Sequence, residues 1–210
     1  VLAVLILRLI GLTQATTPTG RCIYAPVDRY GVPVAEEEWY AQLRDRWKPN
    51  RVKLLMIAES APDDGGKISR RRFFYADRLG ADNLFRGVVA AMYDISKDDL
   101  KRTGKQPLLE RLRDDGFFLI DLAPHPVNAL SGAARKRALL QAVPGCVERA
   151  AALEPESVVV VKVDLYPMLA HPLRAAGLPL LQDGPIAFPL GNTRAEFVDG
   201  FNRARSKLTG

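Results

Sequence analysis

The sequence predicts an α/β fold, a three-layer sandwich in which a short, mostly parallel four-stranded sheet lies between helices. Three observations carry that expectation. The runs VKLLMIAES (52–60), GFFLIDLAP (116–124) and SVVVVKVDL (157–165) are apolar at nearly every position. Strands buried on both faces read this way, whereas half-buried strands alternate. The gaps between the runs are helix-sized, which implies right-handed crossovers and a parallel sheet covered on both sides. A weaker run, LPLLQDGPIAFP (178–189), broken by Asp183-Gly184-Pro185, is expected to add the fourth strand.

The elements follow in order along the chain. Residues 1–20 read as an N-terminal extension and 21–210 as the single domain, since 210 residues suit one core better than two. The opening VLAVLILRLIGL is too short to span a bilayer, is interrupted by Arg8 and lacks the basic leading segment of a secretory signal, so no membrane role is expected. The stretch TQATTPTG reads as a polar linker. Residues 35–47 form an amphipathic helix, acidic at its start and basic at its end as the macrodipole favours, and Pro49 stops it. Further helices are expected over 83–95, 98–113, 134–153, 165–177 and 193–208. Pro144 and Pro172 are expected to start or bend theirs.

Composition narrows the function classes. With 48% hydrophobic and 26% charged residues and no biased tract, the chain is globular rather than disordered. Its net charge of +6 suits a phosphate-rich partner such as DNA, although a solvated basic face gives the same excess. Cys22 and Cys146 are far apart, without a CxxC or a histidine pair, and read as two reduced thiols in a cytoplasmic protein. No cofactor or metal is expected, and the protein is expected to be a monomer.

Ligands of open parallel sheets bind where the strands end and the loops splay apart. The first strand delivers Glu59, Ser60, Ala61, Pro62, Asp63 and Asp64 to that place. The second delivers Asp121, Pro124, His125 and Asn128; the third, Lys162 and Asp164; the fourth ends in FPLGNTR (188–194). A phosphate-cradling P-loop fails at Ala61 and Ile68 around Gly66-Lys67, and neither GxGxxG nor GxSxG follows a strand. His171 falls in a helix and reads as structural, while His125, on a strand-end loop, is a candidate. Glu59 stands out because a carboxylate at the end of a buried strand is costly unless solvated, hydrogen-bonded or used. Capping the following turn is the alternative to use.

From about Lys53 to Leu208 the order of these pieces resembles the uracil-DNA glycosylase superfamily. IAESAPDD is similar to its first motif, and in the branch reading Gly-Glu-x-Pro-Gly the glutamate takes the place of Glu59. RRRFFYADRLGADNLFRGVV (70–89) resembles the segment whose aromatic ring stacks on an extruded base, with Phe74 as the stacking ring and Phe73 beside it. FFLIDLAPHPVN corresponds to the strand that presents an asparagine to the base edge, here Asp121. SVVVVKVDLYPMLAHPLRAAG is similar to the strand and helix that follow, and FPLGNTRAEF stands where a His-Pro-Ser type motif grips the minor groove.

The resemblance implies base excision during DNA repair, by a hydrolase that flips a damaged or unusual base and cleaves its N-glycosidic bond without a cofactor. Glu59 would position or activate water or stabilise the sugar cation, Asp121 read the base edge and Asn192 make the second-motif contact. Ser60, Phe73, Phe74 and Phe188 would line the base site. Lys67, Arg70, Arg71, Arg72 and Arg194 would bind phosphates. The chain departs from the pattern at Phe188, where the family has histidine, and at Asp121. An ionised aspartate only accepts hydrogen bonds, so it favours an amino-bearing edge or must be protonated to imitate asparagine. Ala58 precedes the glutamate, one residue is added before Pro62, and Asp63 replaces the final glycine. Two other readings stand beside catalysis on DNA. One is a non-catalytic nucleic-acid or protein binding module of the same fold. The other is a small-molecule α/β hydrolase or transferase using Glu59 and Asp121, with or without a divalent metal, which such a carboxylate pair could hold.

Overall fold

The structure is a computed structural model that describes residues 12–16, 22–26, 38–63 and 72–208. Strands β1 (Leu12–Thr16) and β2 (Cys22–Pro26) pair antiparallel, with Leu12 opposite Pro26 and Thr16 opposite Cys22. The segment read as a polar linker therefore contributes a strand. Helix α1 (Glu38–Trp47) carries Arg44 and Arg46 in its last turn and ends just before Pro49.

The central sheet is parallel and has three strands. β3 (Leu54–Ala58), β4 (Phe117–Asp121) and β5 (Val158–Val160) are buried at every position, as their unbroken apolar runs require. Their order is β4-β3-β5, with Leu55 opposite both Phe118 and Val158. The expectation of four strands is corrected here. The segment after residue 178 forms no continuous ladder with β5 and pairs at two isolated parallel bridges, Val158 with Leu180 and, just past the strand's end, Val161 with Ile186. Between them Asp183-Gly184-Pro185 carries the chain away, and a side chain takes over the pairing. Gln182 Nε2 donates to Val160 O at 2.7 Å, and its Oε1 accepts from Val160 N at 2.7 Å. The far edge is closed in a similar way. The Tyr75 hydroxyl donates to Leu119 O at 3.2 Å and accepts from Leu119 N at 2.5 Å. Both edge strands thus meet side-chain partners where a neighbouring strand is missing, which blunts edges that would otherwise template pairing.

Between β3 and β4 lie α2 (Asn83–Tyr93), α3 (Lys97–Thr103) and α4 (Gln106–Asp114). Asp82 caps α2 by accepting from Phe85 N at 3.0 Å, and Ser96 caps α3 by accepting from Asp99 N at 3.1 Å. The single helix expected over 98–113 is split, because Gly104 at φ 78° ends α3 and Pro107 opens α4 in its first turn. α5 (Gly132–Ala151) crosses from β4 to β5, and α6 (Tyr166–Ala175) follows β5. Pro144 and Pro172 sit inside these two helices rather than at their starts. α7 (Arg194–Arg205) ends the chain's regular structure, followed by a 3-10 turn, Ser206–Leu208.

The β3-to-β4 and β4-to-β5 crossovers travel in opposite directions across the sheet. A common right hand therefore places their helices on opposite faces. The packing agrees: α2 lies against α7 and α1 against α4, while α5 lies against α6. Phe197 and Phe201 of α7 are fully buried, their rings stacked at 5.6 Å. Each such ring contributes about 1.5–3 kcal/mol of burial. Among the described residues no helix is long and apolar enough to cross a membrane.

Candidate functional site

The parallel register places Ala58 beside Asp121, so the chain leaving β3 and the last residue of β4 reach the same end of the sheet. Pairing continues one step beyond the strands, through Leu122 N to Ala58 O at 2.8 Å and Ala123 N to Glu59 O at 2.9 Å. The loops that follow are tied together as well. Asp63 N donates to Asn128 Oδ1 at 2.8 Å, and Val127 N donates to Ser60 Oγ at 3.4 Å.

Above these ends lies a pocket of about 210 Å³. Glu59, Ser60, Phe73, Phe74, Asp121 and Phe188 line it, together with Arg72, Asp82 and Leu119. Three segments distant in sequence, the turn after β3, the end of β4 and the loop at Phe188, are thereby brought to one cavity, and the 72–76 loop forms a further wall. That wall is stiffly held. Phe73 packs edge-on against Tyr40 at 5.0 Å and Phe74 edge-on against Phe85 at 5.4 Å. Lys105, 2% exposed, donates to Phe73 O at 2.9 Å and to Asp82 Oδ2 at 2.8 Å. Burial draws the Lys105 ammonium below its usual pKa, and the Asp82 carboxylate opposes that shift.

Each of the three carboxylates lining the pocket is met by a cation, Asp82 by Lys105, Asp121 by Arg44 and Glu59 by both Arg135 and Lys162. Asp121, 5% exposed, receives Arg44 at 2.5 Å on Oδ2. Burial pushes the Asp121 carboxyl above its ordinary range, with the Arg44 guanidinium pulling the other way. Its remaining oxygen, Oδ1, makes no hydrogen bond to another described group and is the atom left to meet an occupant. Glu59, 9% exposed, accepts from Arg135 Nε at 2.6 Å on Oε1 and from Lys162 Nζ on Oε2. Lys162 reaches it from the end of β5 with φ at 92°, a conformation costly for a residue bearing a side chain.

Other expected residues lie elsewhere. Asn192, on the 3-10 turn Gly191–Thr193, is exposed and does not line the pocket. Arg194 donates to Arg86 O at 3.3 Å, a structural contact. Lys67, Arg70 and Arg71 lie outside the described residues. His171 is exposed on α6, and His125 is half-buried beside the site without lining it. Burial lowers the His125 pKa, and its Nδ1 is buried without a hydrogen-bond partner among the described residues.

Arg44 and Arg135 went unnoticed in the sequence, yet each left a trace. Tyr40, Arg44 and Trp47 share one helical face at spacings of four and three, so a charge stands in an apolar stripe. Such a charge needs a partner inside. Arg135 opens a helix with Lys136 and Arg137 beside it, where the macrodipole disfavours cations. A nearby anion is the natural explanation of that placement.

The arrangement bears on metal chemistry too. Both Glu59 oxygens and one Asp121 oxygen are already met by cations, so the pair offers a divalent ion little uncompensated charge. Among the described residues no three His, Cys, Asp or Glu side chains converge as a metal site. No protein-family model and no curated protein matches this chain.

Proposed function

We propose that the protein is a DNA glycosylase-like hydrolase that receives an extruded base in the strand-end pocket and cleaves its N-glycosidic bond. The observation that carries this reading is the convergence of Glu59, Phe73, Phe74, Asp121 and Phe188 on one pocket of about 210 Å³. A cavity that combines aromatic walls with polar groups suits a planar heterocycle, which stacks on rings and is fixed by its edge.

Phe73, Phe74 and Phe188 supply apolar and aromatic surface to the base. Asp121, with Oδ2 held by Arg44, offers Oδ1 as an acceptor, which favours a base presenting an amino or ring N–H group. Glu59 lines the same pocket with its oxygens met by Arg135 and Lys162, and in this reading it faces the sugar of the pocketed base. Its charge stabilises the oxocarbenium-like sugar and orients the attacking water. The C1′–N bond breaks with its electron pair leaving on the base. Water supplies the new C1′ oxygen, and its proton goes to the departing base. Phe188 gives that base no hydrogen-bond donor, so a base that leaves readily as an anion, or one already protonated, suits the site best.

The same cationic clamp on Glu59 favours a second reading, in which the pocket binds a nucleic-acid base without turnover. One experiment separates the two. Labelled duplex and single-stranded oligonucleotides carrying uracil, hypoxanthine, xanthine or a mismatch are incubated with the protein, and abasic sites are revealed by alkali. Cleavage of any of them that Glu59→Gln abolishes supports the enzyme. Binding without cleavage across the panel supports the module, and neither binding nor cleavage removes both.

A further inference from the structure

Glu59 is the meeting point of two cavities. On its other side a groove of about 640 Å³ runs between α5 and α6, lined by Arg135, Lys136, Lys162, Asp164 and the apolar side chains of Leu139 and Met168. The base pocket does not use this groove.

Its charges are mostly positive. Arg135, Lys136 and Arg137 crowd the first two turns of α5, and Gly132 brings the helix start itself into the groove wall. Cations at a helix N-terminus oppose the macrodipole, but an anion bound there satisfies both the dipole and the side chains. Lys162 is held in a strained backbone conformation, and strain of this kind persists where a side chain has to be aimed. Within the groove three cations face two carboxylates. Glu59 is shared between Arg135 and Lys162, while Lys136 is exposed and makes no ion pair among the described residues. Asp164 is exposed at the rim and pairs with neither lysine.

We propose that this groove binds a phosphate group, and that the phosphate draws Arg135 and Lys162 off Glu59, freeing the carboxylate to act in the neighbouring pocket. The second half rests on the glycosylase reading; the first does not. A guanidinium fork matches phosphate geometry at least as well as carboxylate, and a phosphate oxygen reaching all three cations gains contacts that Glu59 alone does not make. Glu59 would then be restrained until a substrate backbone is seated beside it.

The test uses a short single-stranded oligonucleotide with a base-free central nucleotide, so that binding is read without excision. Its Kd is measured across a salt series for the parent protein and for Lys136→Gln, Arg135→Gln and Glu59→Gln, with folding checked by thermal melting. Lys136→Gln, on an exposed unpaired residue, is expected to weaken binding roughly tenfold. It should also lower the salt slope by about one. Glu59→Gln is expected to tighten binding several-fold, because it removes the internal anion that competes for Arg135 and Lys162. An oligonucleotide with neutral methylphosphonate linkages should lose the gain. Competition by inorganic phosphate, at concentrations where the oligonucleotide is not displaced by chloride, would assign the site to a free phosphate rather than a strand. Unchanged affinity in Lys136→Gln and Arg135→Gln overturns the site, and affinity in Glu59→Gln no tighter than in the parent overturns the competition.

Discussion

The Arg44 guanidinium lies 2.5 Å from Asp121 Oδ2, joining the last turn of α1 to the end of β4 in a pair with almost no solvent access. Removing one partner of a buried pair leaves the other charge uncompensated, which costs about 3–5 kcal/mol. Arg44→Met should lower stability by about that amount, read as the midpoint of urea unfolding. The double change Arg44→Met with Asp121→Leu should recover most of the loss, because a well-packed apolar pair replaces a buried ion pair at little cost. A single variant as stable as the parent would show that Asp121 does not need its cation.

Gln182 serves β5 in place of a fourth strand. Gln182→Leu keeps the volume but strips Val160 of partners for both its N–H and its C=O, each of them buried. Two unsatisfied backbone groups should cost roughly 2–5 kcal/mol. Native-state hydrogen exchange at Val160 checks the cause: its amide should lose protection before the amides of β3 do.

At Gly87 α2 approaches the loop before α7 closely. A Cβ there would lie 2.8 Å from Pro189 Cβ and 2.9 Å from a Phe197 ring carbon. Overpacking of this kind costs about 1–3 kcal/mol. Gly87→Ala should lower the melting temperature although alanine is the better helix former, and it should disturb the pocket through Phe188, which adjoins Pro189. A variant that melts higher than the parent would mean that the loop yields freely.

His125 gives stability a pH dependence. Burial depresses its pKa from the ordinary 6.5. A base with a lowered folded-state pKa contributes stability that is present above the unfolded value and is lost as pH falls through the folded one. Stability should therefore decline as the pH drops below about 6.5. His125→Gln should flatten that part of the curve, measured by urea unfolding between neutral and mildly acidic pH. An unchanged curve would locate the acid sensitivity elsewhere.

The legible part of the site was its framework. Glu59, Ser60, Asp121 and Phe188 follow apolar runs, and strand ends of a parallel sheet collect at one side by topology. Phe73 and Phe74 were drawn from the resemblance, and they too face the pocket. Asn192 and Arg194 follow from motif position alone, and neither lines the cavity. The fourth strand is expected from apolar composition, which marks burial, whereas strand pairing also needs a continuous run of free backbone groups. Asp183-Gly184-Pro185 interrupts that run.

By itself the sequence determined which segments are buried on both faces and how they are linked, since apolar runs and helix-sized gaps are local properties of the chain. Two charges at odds with their local surroundings, Arg44 in an apolar stripe and Arg135 at a helix start, pass without notice in it until their partners are seen. Only the tertiary structure decided where those charges go. Arg44 meets Asp121, and Arg135 and Lys162 meet on Glu59, through contacts between residues far apart along the chain. Local periodicity is blind to such meetings, because they depend on the path of each crossover around the sheet. The same crossover geometry sets the pocket on one side of Glu59 and the basic groove on the other.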